Sequence, residues 1–163
     1  GFEVHIVHNA HYDTRGKNGQ TLEEHWVDGM RSLHGINVHG FPNLFILGLA
    51  QGGSLVANVT HNFTESASAI AAMIGECIES GSETLEPTAQ AEQAWIDRLE
   101  VQDRGFLANC TPGYYNNEGS TASDRDLFST ARYPDGPVAF FEHLREWGSN
   151  GAFEGLEFSP PRY

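Results

Sequence analysis

A strand, a glycine-rich turn and a long helix are predicted by two neighbouring stretches, LFILGLAQGGS at residues 44–54 and NFTESASAIAAMIGECIESG at residues 62–81. Residues 44–47 have the composition of a buried strand, and residues 36–38 predict a second strand across a turn at 40–43. The helix should begin near residues 60–62, where Asn62 and Glu65 have capping-box spacing, and it should end at Gly81. Its apolar residues recur at helical spacing and are expected to form its buried face: Phe63, Ala67, Ile70, Ile74 and Cys77.

The glycine-rich turn indicates a place where backbone could approach a ligand. Glycine permits such an approach, and the helix start that follows offers unpaired amides and a partial positive charge to a cofactor's polar edge. A turn with a purely structural role explains the glycines equally well. The Gly-x-Gly-x-x-Gly fingerprint of dinucleotide-binding folds occurs nowhere in the chain.

Further elements are expected on both sides of this region. Residues 2–7 resemble a strand, Asn18-Gly19 marks a turn, and Thr21 and Glu24 form a capping box that begins a short helix. Two more helices are predicted, one over residues 88–101 and one from Pro137 to about Gly148, with an irregular loop at 109–137. The first helix should carry Trp26, Val27 and Met30. The second places Ala91, Trp95 and Leu99 on one face, and the last should direct Phe140, Leu144 and Trp147 inward.

Length and charge exclude several classes of protein. The 163 residues suit a single unit, and 22 Asp and Glu against nine Lys and Arg give a net charge of -13. This negative field disfavours nucleic acid and anionic membrane surfaces as partners. The longest apolar run is far shorter than a membrane-spanning helix of about 20 residues. Two cysteines and the absence of a signal peptide predict a cytoplasmic protein.

Nucleophilic and metal chemistry are both disfavoured by the sequence. Residues 52–55 lack the Gly-x-Ser-x-Gly elbow, Cys77 is expected to be an inert core thiol, and Cys110 has no basic neighbour. Residues 5–11 contain the pattern His-x-x-His-x-x-His, but on a strand His5 and His8 would project from opposite faces, and on a helix steps of three drift around the axis. Metal ligation would need an irregular loop and a carboxylate such as Asp13. No metal site is therefore predicted, although zinc retained through purification would revive a metal-binding hypothesis built on His5, His8 and His11.

Several short motifs together resemble the carboxy-terminal part of the flavin-dependent Baeyer–Villiger monooxygenases. They are GFEV at residues 1–4, HGFPNLF at 39–45, LEPT at 85–88 and CTPGYYNNEG at 110–119. The resemblance covers essentially the whole chain. It implies an α/β fold, the C-terminal part of a Rossmann-like FAD-binding domain with several helices and a long irregular loop. It also implies the cofactors FAD and NADPH and a reaction that converts a ketone and dioxygen into an ester or lactone.

The resemblance also implies roles for individual residues. It places Gly1 at a strand end beside FAD, and the loop around residue 116 over the nicotinamide cofactor and the substrate. Many relatives carry a tryptophan early in that loop, where this chain reads Thr111-Pro112, so an aromatic lid would have to use Tyr114 or Tyr115. The expected cofactor-binding residues are Gly1, Gln51, Asn58, Val59 and Asn116. The expected substrate-pocket residues are Ser54, Leu55, Val56 and Tyr114.

The family's other motifs are missing from this chain. It contains neither dinucleotide-binding glycine fingerprint, nor the signature Phe-x-Gly-x-x-x-His-x-x-x-Trp, nor a counterpart of the catalytic arginine. We therefore expect no catalytic side chain here, a positioning role in a larger enzyme, and no activity from the isolated chain. The expected partners are the remainder of the monooxygenase chain and a small ketone. An alternative is a non-catalytic interaction module, or an inactive fragment, that associates through apolar edges at residues 2–7 and 44–47.

Overall fold

The computed structural model describes residues 12–48, 51, 57–99, 131–149 and 151–161. Within these ranges the chain forms four helices and two strands. The helices are α1 (Leu22–His25), α2 (Val59–Glu79), α3 (Ala89–Arg98) and α4 (Gly136–Ser149), and the strands are β1 (Thr84–Pro87) and β2 (Leu156–Ser159). The expected strand at residues 2–7 and most of the expected loop at 109–137 lie outside these ranges.

The sheet pairs strands that are distant in the sequence. β1 and β2 are antiparallel, with Leu85 opposite Phe158. The sequence indicates neither strand, because each has only four residues and finds its partner far along the chain. This is the only sheet in the described ranges, so a mixed helix-and-strand fold is confirmed and the Rossmann-like assignment stays a prediction.

The helix α2 begins at Val59, one residue before the range that the sequence predicts. Asn58 is its N-cap, and the Asn58 side-chain oxygen accepts a hydrogen bond from the backbone amide of Thr60 at 2.9 Å. Asn62 lies inside the helix and donates its side-chain amide to the Asn58 carbonyl at 3.0 Å, so the predicted capping box at Asn62 and Glu65 is wrong. The predicted end is confirmed, since Gly81 follows the helix with a φ of 69°.

The buried face of α2 matches the prediction only in part, since Cys77 is buried and Ile70 packs against the core as expected. Phe63 and Ile74 are exposed, whereas the residues that face the protein are Asn62, Glu65, Ser66, Ala69, Met73 and Cys77. The helix carries two adjacent apolar stripes, and periodicity alone cannot tell which of them the neighbouring elements cover. Burial of Glu65 on this face is compensated by two hydrogen bonds from the Arg145 guanidinium on α4.

The predictions for α3 and α4 are largely confirmed. Thr88 caps α3 by accepting a hydrogen bond from the Ala91 amide at 3.0 Å, and Trp95 and Leu99 are buried. Phe140 and Leu144 of α4 are buried as expected, and Trp147 is partly buried. With α2 and the sheet these residues form the main core, which also includes Ile36, Met73, Leu85 and Phe153.

The segment from residue 12 to 48 folds mostly without regular structure. The capping box of Thr21 and Glu24 is confirmed by reciprocal hydrogen bonds of 2.8 and 3.1 Å, but α1 ends at His25, so Trp26 is buried beyond the helix. Val27 is exposed and, like Met30, lies beyond the helix expected to carry it. Residues 36–38 and 44–47 are not strands. Residues 33–37 close into a turn, and one backbone hydrogen bond, from the Ile46 amide to the Ile36 carbonyl, connects the two stretches.

Candidate functional site

Three of the predicted site residues fall in the part of the chain that the structure describes. They are Gln51, Asn58 and Val59. Asn58 and Val59 lie together at the start of α2, whereas Gln51 is attached to residues 30–35. The other predicted site residues lie outside the described ranges: Gly1, Ser54, Leu55, Val56, Tyr114 and Asn116.

The side chain of Gln51 is directed into the protein. The residue is 0% exposed, and its Nε2 donates a hydrogen bond to the carbonyl of Met30 at 2.7 Å. Its Oε1 accepts a hydrogen bond from the hydroxyl of Ser32, and that hydroxyl accepts one from the amide of Gly35 at 3.1 Å. With both ends of its carboxamide bonded internally, Gln51 can offer a ligand only its backbone.

The backbone of Gln51 adopts an unfavourable conformation. Its φ of 46° lies in the left-handed region, which costs a residue with a side chain roughly 1–2 kcal/mol. Such a conformation persists when surrounding contacts fix it, and residues of this kind concentrate at functional sites. The hydrogen bonds to Met30 and Ser32 are contacts that can fix it.

The start of α2 presents a polar, electropositive helix end. The Asn58 side-chain oxygen is occupied by Thr60, which donates from its amide at 2.9 Å and from its hydroxyl at 2.6 Å. The first turn contains no acidic residue, so the partial positive charge of this 21-residue helix is not neutralised there. Val59, the first helical residue, is 41% exposed. This end of the helix can therefore receive the polar edge of a ligand.

A buried carboxylate connects residues 31–39 to α3. Glu92 accepts a hydrogen bond from the His39 amide at 2.9 Å, and Arg31 Nε lies 3.4 Å from its other oxygen. Burial alone would raise the pKa of Glu92, but His25, the His39 amide and Arg31 together hold that pKa below its usual value. The segment that contains Ser32 is thus held by a charged anchor that no local sequence pattern indicates.

A pair of histidines joins the same segment to α4. Nε2 of His34 and Nε2 of His143 are 3.1 Å apart, so one ring donates a hydrogen bond to the other. The ring of His34 also makes edge-to-face contacts with Trp95 and Trp147. Burial, and then the charges of His143 and Arg98, lower the pKa of His34 well below its usual value. No sequence spacing could have indicated a pair so far apart along the chain.

Metal-ligating and thiol groups are the other candidates for chemistry that the sequence raises. In this part of the chain no group of three or more His, Cys, Asp or Glu residues could hold a metal ion, and the three histidines at 5, 8 and 11 lie outside it. Cys77 is buried and its thiol donates a hydrogen bond to the Ser82 carbonyl at 3.3 Å, so the prediction of a core thiol is confirmed. None of the helices described is long and apolar enough to cross a membrane.

The chain is similar in sequence to a part of several curated monooxygenases. It is 39% identical over 162 residues to an FAD-binding monooxygenase from Hypomyces subiculosus, covering 96% of this chain and 26% of that protein. It is 40% identical over 160 residues to pentalenolactone D synthase from Streptomyces exfoliatus, covering 96% and 27%. It is 43% identical over 153 residues to a Baeyer–Villiger monooxygenase from Streptomyces coelicolor, covering 90% and 24%. No protein-family model matches the chain.

Solved structures show the same relationship. A polycyclic ketone monooxygenase from Thermothelomyces thermophila superposes with a TM-score of 0.76 at 27% identity, over 91% of this chain and 24% of that one. An oxidised steroid monooxygenase bound to NADP shares the fold, with a TM-score of 0.72 at 23% identity over 91% and 26%. The chain spans about a quarter of the length of the curated relatives that it matches.

Proposed function

Since this chain is homologous to part of the flavin-dependent Baeyer–Villiger monooxygenases, we propose that it is the C-terminal part of such an enzyme and forms one wall of its flavin and substrate site. The observation that carries the proposal is the 39% identity with an FAD-binding monooxygenase across 96% of the chain. The whole enzyme would use FAD and NADPH to insert one atom of dioxygen beside a ketone carbonyl. The other oxygen atom leaves as water, and NADPH is oxidised to NADP⁺.

In this proposal the described residues act through their backbone. The start of α2, at Asn58 and Val59, faces a polar edge of the flavin ring, and the partial positive charge of the helix favours electron density there. Gln51 contributes backbone, since its side chain is bonded to Met30 and Ser32. Gly1 and Asn116 complete the proposed cofactor contacts, and the proposed pocket residues are Ser54, Leu55, Val56 and Tyr114. No side chain of this chain is assigned as a general acid or base.

The exposed side of α2 supports membership of a larger enzyme. Phe63 is 37% exposed and Ile78 is 73% exposed, and with Val59 and Ile74 they lie on one side of the helix, beside its buried face. We name these four residues the α2 stripe. The remaining three-quarters of the enzyme, which would contain the dinucleotide-binding fingerprints, is proposed to cover it and to complete a Rossmann-like FAD-binding domain. A cytoplasmic location is proposed as well, on the basis of the two cysteines.

An interaction module without catalysis would use the same exposed apolar surface. Leu47 is exposed as that alternative expects, whereas residues 44–46 are half-buried, and residues 2–7 lie outside the described ranges. The monooxygenase homology explains the apolar surface without a separate partner, and it therefore favours the enzyme.

The test is oxygenation by the full-length protein that contains this sequence. We expect the purified protein to be yellow with bound FAD, and to convert cyclohexanone or a polycyclic ketone into a product one oxygen atom heavier, with consumption of NADPH. The matched control is the isolated 163-residue chain, which should be colourless and inactive. A full-length protein without FAD, or one that yields no oxygenated product from a panel of ketones, would overturn the proposal.

A further inference from the structure

We infer that Ser32 is a positioning residue, which acts on the proposed flavin site by fixing the backbone of Gln51. The inference rests on the proposed function, because its main measurement is oxygenation. Ser32 is 0% exposed, so it cannot contact a cofactor or a substrate itself. Its hydroxyl is the link between the turn at residues 32–35 and the Gln51 side chain.

The backbone of Gln51 needs support to keep its conformation. This residue has a positive φ although it is not glycine, so its backbone would relax if nothing opposed it. The contacts that oppose relaxation are the hydrogen bonds of its carboxamide to the Met30 carbonyl and the Ser32 hydroxyl. Loss of either bond removes part of what keeps the Gln51 backbone in the conformation that the proposed site uses.

The segment that carries Ser32 is itself held at several points. The indole of Trp26 donates to the Arg31 carbonyl at 2.8 Å, and the Leu33 amide donates to the Asn37 carbonyl at 2.7 Å. Glu92 holds the same segment to α3, and His34 holds it to α4 through His143. The backbone around Ser32 is therefore held in place, so the Ser32 hydroxyl can hold the Gln51 side chain in a fixed position.

The hydroxyl of Ser32 serves two partners at once. It accepts from the Gly35 amide and donates to Gln51 Oε1, which uses its donor and one acceptor position. An alanine at this position would leave both Gly35 N–H and Gln51 Oε1 without that partner. The Gln51 carboxamide would then keep only its bond to Met30 and could rotate about it.

The experiment is a double-mutant cycle in the full-length enzyme with Ser32→Ala and Gln51→Gly. Glycine adopts a positive φ without strain, so in the Gln51→Gly background the Ser32 hydroxyl has no strained backbone to hold. We expect Ser32→Ala alone to lower, by about tenfold, the yield of oxygenated product per NADPH consumed, with FAD still bound. In the Gln51→Gly background the same change should alter that yield less than about twofold.

Two controls separate positioning from loss of stability. Ser66→Ala removes another buried hydroxyl, on α2, and should leave the product yield per NADPH unchanged. Ser32→Thr keeps the hydroxyl and should restore most of that yield if the added methyl group is accommodated. The melting temperature of each variant is measured in parallel, because a merely structural role would lower it without changing the product yield of the folded enzyme.

The outcomes distinguish the inference from the function on which it rests. A wild-type enzyme that does not oxygenate ketones overturns the proposed function, and the inference with it. An active wild type in which Ser32→Ala has no effect, or reduces the yield equally in the Gln51→Gly background, overturns the inference alone. A loss of yield that Ser32→Ala causes in the wild-type enzyme, but not in the Gln51→Gly variant, supports Ser32 as the residue that positions Gln51.

Discussion

Nε2 of His34 and Nε2 of His143 lie 3.1 Å apart and join the turn at residues 33–37 to α4. A hydrogen bond between two imidazoles requires that at least one of them be neutral. Burial lowers the pKa of both rings, and Arg98 lowers both further, while Glu146 acts in the opposite direction on His143. The pair therefore stabilises the fold only while it remains largely unprotonated.

The first prediction is a loss of stability on mild acidification. The unfolded chain binds protons near pH 6.5 and the folded pair binds them only at lower pH, so its contribution is present above about pH 6.5 and is lost as the pH falls below that value. The slope reaches at most about 1.4 kcal/mol per pH unit for one proton. Thermal unfolding measured from pH 8 to pH 5 should show this loss of stability, and His34→Asn should reduce the slope of stability against pH.

Asparagine suits this test because it tolerates the positive φ of 56° at position 34. An unchanged slope in His34→Asn would contradict this account of the pair.

A second prediction concerns charge at the start of α2. Asn58→Asp preserves the N-cap, because aspartate caps helices as well as asparagine does. It places a negative charge where the proposed flavin edge meets the helix, so the dissociation constant of FAD should rise about two- to fivefold. Titration of the full-length apoenzyme with FAD measures this. Thr88→Asp, at the N-cap of α3, is the control and should not alter FAD binding.

Two glycines should respond in opposite ways to alanine. A Cβ on Gly155 would lie 2.5 Å from the Cβ of Ala91, and Gly155 has a φ of 89°, so Gly155→Ala should lower the free energy of unfolding by about 1–3 kcal/mol. Gly75 lies within α2, and a Cβ added there would meet no atom within 4 Å. Gly75→Ala should therefore raise the free energy of unfolding by about 0.5–1 kcal/mol. Urea unfolding measures both. Equal effects would contradict the packing between residue 155 and α3.

The side chain of Glu92 should stabilise the fold more through the hydrogen bonds that its oxygens accept than through its charge. Glu92→Gln keeps an acceptor for the His39 amide, whereas Glu92→Leu leaves that partly buried amide without its partner and should cost about 1–3 kcal/mol more. The pKa of Glu92 is lowered, so the charged form adds stability that is present above about pH 4.5 and is lost as the pH falls further. Urea unfolding at pH 7 compares the two variants, and similar losses would contradict the role of the hydrogen bond.

The α2 stripe provides a test of the larger enzyme. Ile74→Lys should lower the melting temperature of the full-length protein by several degrees, because it would bury a charge against the rest of the chain. Val27→Lys is the control, since Val27 is exposed outside the stripe and should tolerate the charge. Equal tolerance at both positions would mean that nothing covers the stripe.

Local signals in the sequence predict the helices better than the contacts between them. The reciprocal hydrogen bonds of Thr21 and Glu24 and the cap of α3 involve residues three positions apart, so the motif itself contains the partner. The β1–β2 pairing, the anchor at Glu92 and the histidine pair join distant residues, and no local pattern indicates such partners. The predicted buried face of α2 is only partly right, because Ile74 and Met73 are both apolar and only the packing determines which of them is covered.

In the candidate site, too, the sequence indicates local features but not the contacts between distant residues. The glycine-rich turn indicates that the region of Gln51 is unusual, and the family resemblance predicts cofactor contacts at Asn58 and Val59. Neither could show that the Gln51 side chain is buried, because Met30 and Ser32 are remote in sequence and carry no motif.

The rings around His34 give the protein an optical signal of its own. The indoles of Trp95 and Trp147 have centroids 4.6 and 4.5 Å from the imidazole centroid, so no solvent molecule separates the rings. A protonated imidazole at van der Waals distance quenches an excited indole far more than a neutral one does. Trp95 also stacks on the ring of His143, so the fluorescence of these two tryptophans reports the protonation of the histidine pair, without a dye or a label.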